Sequence, residues 1–491
     1  MNISNALFKM AGRGIIPLAL ILAEAGGAPR HLEENTSAAP KPALSAQDQP
    51  KSEGYVTTQE PPAGLAPAKT LSPQQWRENF DFLCKAIDET CATFEIKSIN
   101  WDELHHCYQQ RLDATTTTEQ FYRLLFDLVR ELHDGHAWLQ NYHPAVPAST
   151  PGVTVDLFQD KPFVVAVKAG SEAARLGVKP GSEVLEIDGV SVTNRMERLR
   201  TILHGFSSER GFRRDACRRL LTGEKDSMAV VKLRSPDGHA ETFRLPRVYE
   251  LETPPPQACP FALTRQRFVH FGRLPSGLGY IRIVSFMGRQ EIDDEFDKAL
   301  EALRAAPGII LDIRDNRGGY SHTHIAGRLL QKPAPGGTSY VKNGPGHKDL
   351  ERRDIILYPT GPWQYDGPVV LLVNDVTGSA SDLFACYLRS AKRVVTVGSS
   401  TDGILSGQAA WAVLPCGLIV RISNSYICDS TGQPIEGRGN EPDVVVRPTI
   451  TDFLTGKDPV LDQAAALLRE KLRHNQAGGL PLPQSLSSPG G

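Results

Sequence analysis

The chain is predicted to fold as a multi-domain α+β protein, with a small helical block, a β-rich block and an α/β core in that order. Three observations predict it. Apolar residues recur at helical spacing from Trp76 to Leu132. Short strands broken by glycines fill residues 150–248. Strand–helix–strand units with glycine-rich ends occupy residues 262–473.

The N-terminal stretch reads as targeting sequence followed by spacer. Lys9 and Arg13 precede an apolar run at 15–23, and Ala23-Glu24-Ala25 supplies a small-residue cleavage site, so residues 1–25 are expected to be a signal peptide. An apolar N-terminal extension is the alternative. The run is too short to cross a bilayer, so no stable membrane span is expected. Residues 26–71, rich in Ala, Pro, Ser, Glu and Gln, are expected to be a disordered linker. With 491 residues, 40% hydrophobic, and a formal charge of -2, the chain has the composition of a globular protein of several domains. No basic patch or interleaving of basic and aromatic residues points to nucleic acid.

In the helical block, residues 72–149, Trp76, Phe80, Leu83 and Ile87 share one helical face, as do Phe121, Leu124, Leu125, Leu128 and Leu132. The block ends at Leu132-His133-Asp134-Gly135-His136. His133 and His136 have H-x-x-H spacing and His105, His106 and Cys107 lie upstream, but no further ligand follows at a spacing typical of zinc sites. His136 is otherwise a solvated helix-end histidine or part of a site.

The β-rich block, residues 150–248, carries FVVAV (163–167), GSEAARLG (170–177), KPG (179–181) and VLEIDG (184–189). This succession resembles a PDZ domain, whose mode of binding adds an extended peptide to a sheet edge and can capture a C-terminal carboxylate. A plain folding spacer is the other reading.

Within the core, five apolar residues (369–373) read as a strand covered on both faces, and Thr377-Gly378-Ser379-Ala380-Ser381-Asp382 supplies a small-residue turn with helix-start chemistry. Ser379 is either an ordinary N-cap or a nucleophile placed where unpaired backbone N–H groups can stabilise developing negative charge. Upstream, GYIRIVSF (279–286), a helical stretch and GIILDIRDNRGG (308–319) make a βαβ unit ending in the pair Gly318-Gly319. Glycines past the carboxyl end of a parallel strand allow backbone donors to approach a ligand. The core is expected to close with strands at 418–426 and 444–446 and a helix near 460–472, followed by a disordered tail at 474–491.

Taken in order, LHDGH, the PDZ-like block, GYIRIVSF, LDIRDNRGG, GSASD and IEGRGNEPD (435–443) resemble the carboxyl-terminal processing (tail-specific) serine peptidases, in their tricorn-like branch, over residues 75–470. The resemblance implies an α/β core of the ClpP/crotonase-like kind. One branch of that family pairs serine with lysine, and the lysine's place here holds Ile404. The tricorn-like branch uses histidine and glutamate, which implies Ser379 as nucleophile, His136 as general base and Glu436 as the carboxylate orienting it, with Glu441 and Asp443 as competitors for the last role. The implied oxyanion hole is formed by backbone N–H groups of Gly318 and Ala380, with Gly319 as alternative to Gly318. Two departures stand out: Arg317 replaces the family's proline before the glycine pair, and Asp382 stands where many relatives have glutamate.

These residue types suit acyl transfer, because neutral imidazole can take the serine proton and return it to the leaving amine while a carboxylate fixes the tautomer. The expected function is that of an exported, periplasmic or extracellular serine endopeptidase acting on peptides or unfolded proteins. No metal or organic cofactor is expected. The alternative is an inactive peptidase-fold protein that binds peptides through its PDZ-like block. The eight cysteines are compatible with disulfides, Cys416 with Cys428 first among them, and Cys386 is expected to be buried packing.

Overall fold

The computed structural model describes residues 53–61, 63–255 and 259–477. The expected signal peptide, the first part of the expected linker and the tail beyond residue 477 lie outside them. Strand Val369–Val373 organises the core. Its side chains alternate between two faces: Val369, Leu371 and Val373 pack with helices Gln290–Ala302 and Ala380–Ser390, while Val370 and Leu372 pack under helix Pro459–Ala477. Neither face meets water, which is why the strand is apolar throughout. Each such side chain contributes roughly 1.5–3 kcal/mol on burial.

This strand is fifth in a seven-stranded sheet whose spatial order is Thr264–Arg265, Val269–Arg273, Gly279–Ile283, Ile309–Asp312, Val369–Val373, Val394–Gly398 and Val444–Val445. The first three strands are antiparallel and the rest parallel to Gly279–Ile283. Leu311 lies between Ile281 and Leu371 in register, so the chain leaves Ile309–Asp312 and Val369–Val373 at the same carboxyl edge, toward Gly318 and Ser379. A three-stranded sheet of Leu350–Leu357, Ala334–Lys342 and Ser425–Cys428 lies beside this layer.

The helical N-terminal region is present as helices Pro73–Thr90, Trp101–Asp113 and Thr118–Arg130 with a short turn of helix at Phe94–Lys97. Its first helix opens with Ser72 accepting from the Gln75 N–H and Pro73 at the first helical position. The helices do not close a core alone. Phe80, Leu83, Phe121, Leu125 and Leu128 pack against Ala412, Val420 and Ile422 of a four-stranded sheet formed by Tyr55–Thr57, Ala409–Val413, Ile419–Ser423 and Trp138–Leu139.

The structure departs from three of the expectations. Residues 53–71 do not behave as linker: Tyr55–Thr57 pairs antiparallel with Ala409–Val413, the Ala68 N–H donates to Cys416 O at 2.9 Å, and Leu71 is buried. Backbone pairing at a free sheet edge outweighs a composition that favours disorder. The strand expected at 418–426 is two strands in different sheets, separated at Asn424. Cys416 lies in the turn between Ala409–Val413 and Ile419–Ser423 while Cys428 ends a strand of the other sheet, and all eight cysteines are free thiols.

The β-rich block is a six-stranded sheet of Val153–Phe158, Lys161–Val167, Glu183–Ile187, Val190–Ser191, Met228–Arg234 and Ala240–Pro246, with helices Val192–Arg200 and Glu209–Arg218. Val153–Phe158 is an edge strand beside helix Glu209–Arg218. No helix among the described residues is long and apolar enough to cross a membrane.

A buried ionic cluster pins the C-terminal helix to the sheet. Arg314 donates to both Asp458 oxygens at 2.9 and 2.8 Å and to Asp312, which also accepts from Tyr280 Oη at 2.7 Å. Asp458 Oδ1 additionally accepts from the Leu461 N–H at 3.0 Å, at the start of the helix. Asp458→Ala leaves the guanidinium half-paired in a dry site and is expected to lower the unfolding free energy by about 3–5 kcal/mol in a urea titration. A loss below about 1 kcal/mol would mean that the bridge is dispensable.

Candidate active site

Ser379 stands between the end of strand Val369–Val373 and helix Ala380–Ser390 with φ +56° and ψ -123°. An L-residue adopts this conformation only when its surroundings over-determine it. Three contacts do so. Asp382 Oδ2 accepts from the Ser379 N–H at 3.1 Å, the Gly378 N–H donates to Asn316 O at 3.1 Å, and Thr377 Oγ1 donates to Ile313 O at 3.1 Å. Asp382 Oδ2 also accepts from the Gly403 and Ile404 N–H groups at 3.1 and 3.0 Å, so it ties a third loop to the serine turn.

His136 reaches this turn from the helical block. Its Nε2 lies 3.1 Å from Ser379 Oγ, and both residues are buried. The turn carrying it is fixed from several sides. Asp134 Oδ1 accepts from the His136 N–H at 2.8 Å, Ser207 Oγ accepts from the Gly135 N–H at 2.8 Å, and Arg421 donates to His136 O. Directly after it, Trp138 pairs with Arg421 in an antiparallel ladder, and the Arg421 guanidinium lies 4.9 Å from the Trp138 ring centre. Burial first, and then the Arg421 charge, push the imidazole down to about 3, while Asp134 pulls the other way. The ring is therefore neutral at ordinary pH.

Glu436 is not brought to His136. Its Oε2 accepts from the Leu405 N–H at 2.7 Å and its Oε1 lies 2.7 Å from Lys97 Nζ. The ring Nδ1 of His136 instead faces Ser406 Oγ at 3.3 Å, and that hydroxyl donates to Asp134 Oδ1 at 2.8 Å. The expectation that Glu436 contacts the imidazole is thus corrected, because a buried lysine and a backbone donor occupy its oxygens. Asp443 lies elsewhere too, accepting from Thr396 N–H and Oγ1 at 2.7 and 2.8 Å.

Among the expected oxyanion donors, the Gly318 N–H is taken by Asn316 Oδ1 at 3.0 Å. Among the described hydrogen bonds, the N–H groups of Gly319 and Ala380 have no partner. Gly318 has φ +98°, and a methyl there would lie 2.7 Å from Ser379 Cβ and 2.8 Å from Ala380 N, so only glycine lets the two turns meet. Gly319 at φ +146° is equally constrained, since a methyl would fall 1.9 Å from the Phe286 carbonyl carbon.

Residue types and order identified Ser379, His136 and the glycine pair as candidates, but not Ser406, Arg421 or Lys97. Asp134 carried a signal in its D-G-H turn, where a carboxylate caps the N–H two residues on. Ser406 carried none, since it sits in an irregular segment with no motif. Among the described residues, no three His, Cys, Asp or Glu side chains gather as a metal site.

Residues 277–446 match the family model of peptidase family S41, and residues 72–130 match that of the tricorn protease C1 domain. Residues 277–446 thus carry a peptidase family S41 segment, preceded by a tricorn C1 segment. Ser379, Gly318, Gly319 and Glu436 fall within the S41 segment, and His136 lies just past the end of the C1 segment. The chain is 22% identical to tricorn protease homolog 1 of Streptomyces coelicolor over 83% of its own length and 36% of that relative's. It is 25% identical to the chloroplastic C-terminal processing peptidase of Tetradesmus obliquus, over 82% of this chain and 84% of that one. It therefore spans about a third of the length of the first relative, and 18% of the tricorn protease of Thermoplasma acidophilum. Among solved structures, mature CPAF has the same fold, with TM-score 0.66 at 16% identity over 84% of this chain and 99% of that one.

Lys97 joins all three blocks at the site. Its Nζ donates to His133 O at 2.7 Å and Ser207 O at 3.2 Å while it pairs with Glu436, and the two side chains are 8% and 0% exposed. Burial pushes Glu436 up to about 7 against the pull of that cation. Lys97→Met is expected to cost about 3–5 kcal/mol of stability, because it strands Glu436 and two carbonyls in a dry site. Equal denaturant midpoints for variant and parent would contradict the joining role.

Proposed function

We propose that the chain is an exported serine endopeptidase that hydrolyses peptide bonds in peptides or unfolded proteins through an acyl-enzyme. The observation that carries this reading is the 3.1 Å approach of His136 Nε2 to Ser379 Oγ, with the serine on a strained strand-to-helix turn. In the proposed reaction neutral His136 takes the Ser379 proton, the serine oxygen attacks the substrate carbonyl, and the imidazolium returns the proton to the leaving amine. The Ala380 and Gly319 N–H groups are the proposed oxyanion donors, with the N-terminus of helix Ala380–Ser390 adding to the field. The proposed domains are a helical cap at 72–149, a PDZ-like domain at 150–248 and a ClpP/crotonase-like core at 262–473. Export rests on residues 1–25, which lie outside the described residues.

The PDZ-like reading is supported by the edge strand Val153–Phe158, which stands opposite helix Glu209–Arg218 as peptide addition to a sheet edge requires. A gating role has support as well. Asp156 on that strand is gripped by Arg214 and Arg218 at 3.1 Å each, and Arg214 also pairs with Asp375 of the core at 2.7 Å. A peptide entering this groove would compete with bonds that reach the serine loop. The rival reading of an inactive binding protein is opposed by the close serine–histidine contact.

Ser379→Ala removes one oxygen and is expected to abolish hydrolysis of an unfolded protein substrate, with His136→Ala losing at least about 10⁴-fold, since such groups act as a unit. A serine-directed phosphonate is expected to label Ser379 only when His136 is present. Activity surviving in Ser379→Ala would remove the nucleophile assignment. The lowered His136 value sets a pH dependence as well: a base that stays neutral to lower pH keeps the enzyme competent there. The acid limb of kcat/KM is expected well below the ordinary histidine value of 6.5. A limb centred on 6.5 would mean that the imidazole is not held as described.

A further inference from the structure

The hydrogen bonds around Ser406 permit only one direction of donation. A hydroxyl donates once and accepts twice. Ser406 donates to Asp134 Oδ1 at 2.8 Å and accepts from Ser423 Oγ at 2.8 Å, which leaves one lone pair facing His136 Nδ1 at 3.3 Å. Nδ1 must then carry the proton, and Nε2 presents its lone pair to the Ser379 hydroxyl. Asp134 also accepts from the His136 N–H with the same oxygen, so one carboxylate sets both the backbone and the ring of the histidine. Among the described residues, its second oxygen is buried without a hydrogen-bond partner.

We propose that Asp134, acting through Ser406, is the carboxylate that positions His136, and that Glu436 serves with Lys97 to anchor the segment carrying Leu405. This rests on the peptidase reading for its catalytic consequence, but not for its geometry. Glu436 is separated in role by its contacts, both oxygens being directed to Lys97 and the Leu405 N–H. The charged groups facing the imidazole are Arg421 and Asp134. Arg421 opposes an imidazolium and Asp134 favours it, so the relay supplies the compensating charge when the ring takes up the serine proton. Behind Asp134, Glu436 faces Lys97 rather than the ring.

The test uses the full chain and two readouts. Nitrogen-15 spectra of the histidine rings, with His136 assigned by loss of its signal in His136→Gln, are expected to show Nδ1 protonated and Nε2 bare. Asp134→Asn keeps an acceptor at Oδ1 and removes only the charge, and Ser406→Ala removes the link. Both are expected to disturb the tautomer, whereas Glu436→Gln preserves it. In hydrolysis, each of the first two should lower kcat by on the order of 100-fold with KM little changed. The double variant should fall no further than about twofold below the weaker single. The same variants report structure by melting temperature: a purely structural Asp134 would lower the melting point and leave the ring signals of folded protein unchanged. Multiplying losses, or a tautomer that responds to Glu436→Gln and not to Asp134→Asn or Ser406→Ala, overturn the proposal. If Asp134→Asn does not fold, Ser406→Ala carries both readouts. A parent chain that neither hydrolyses peptides nor reacts with the phosphonate would fail the peptidase reading, while the ring spectra still decide the relay.

Discussion

The bond between His136 and Ser379 spans 243 residues of sequence and joins turns from two blocks, so most of the architecture is arranged around holding its ends. Neither turn is stable by local preference. Ser379 has positive φ and is retained by Asp382, Asn316 and Ile313. His136 is held by Asp134, Ser207 and Arg421, which come respectively from its own turn, the β-rich block and the core. The helical block shares one apolar cluster with strands Ala409–Val413 and Ile419–Ser423, which makes its position relative to the serine turn a property of packed side chains. Burying that cluster is what offsets the strain stored at the serine.

Burial has an electrostatic consequence at the same place. A dry imidazole beside a guanidinium resists protonation, which suits a base waiting for a proton but works against the imidazolium it must become. A carboxylate within the network answers that conflict without direct contact, because a hydroxyl that donates to an anion is a better acceptor from the ring. Ser406 is such a hydroxyl, and Ser423 fills its remaining lone pair. The arrangement also explains why Asp134 can be short: it reaches its own backbone at His136 and the Ser406 side chain with one oxygen.

What could be read from residue types follows from how local each feature is. Strand Val369–Val373 was legible because burial on both faces demands an unbroken apolar run, and the glycine pair because no other residue fits where a methyl would collide with Ser379 or Phe286. The partner of His136 was not legible, since Asp134, Glu436, Glu441 and Asp443 are equivalent carboxylates in sequence and only folding decides that Lys97 claims Glu436. Lys97 itself lies in a four-residue helix with no motif, and its role appears only when His133, Ser207 and Glu436 converge on it. The change of sheet at Asn424 was hidden for a related reason: residues on both sides are good strand formers, and which sheet they join is a long-range choice. The ordered pairing of Tyr55–Thr57 is another case of a partner strand deciding against composition.

The β-rich block meets the site more closely than an appended reader would. Ser208 Oγ donates to Asp402 O at 2.6 Å and Arg210 Nε to Thr401 O at 2.7 Å, while the Asp402 N–H donates to Thr377 O at 2.8 Å in the serine turn itself. A methyl on Gly211 would lie 2.2 Å from Asp402 Oδ1, so the start of helix Glu209–Arg218 is seated directly on this loop. The next loop residues, Gly403 and Ile404, are the ones that hold Asp382, and Leu405 and Ser406 follow with the Glu436 anchor and the histidine relay. One continuous segment, residues 401–406, therefore touches the β-rich block at one end and the imidazole at the other. Tilting the helix would move that segment, and a hydroxyl 3.3 Å from Nδ1 leaves little room before the relay opens. Coupling between the blocks needs no long pathway, because six residues of backbone already connect them.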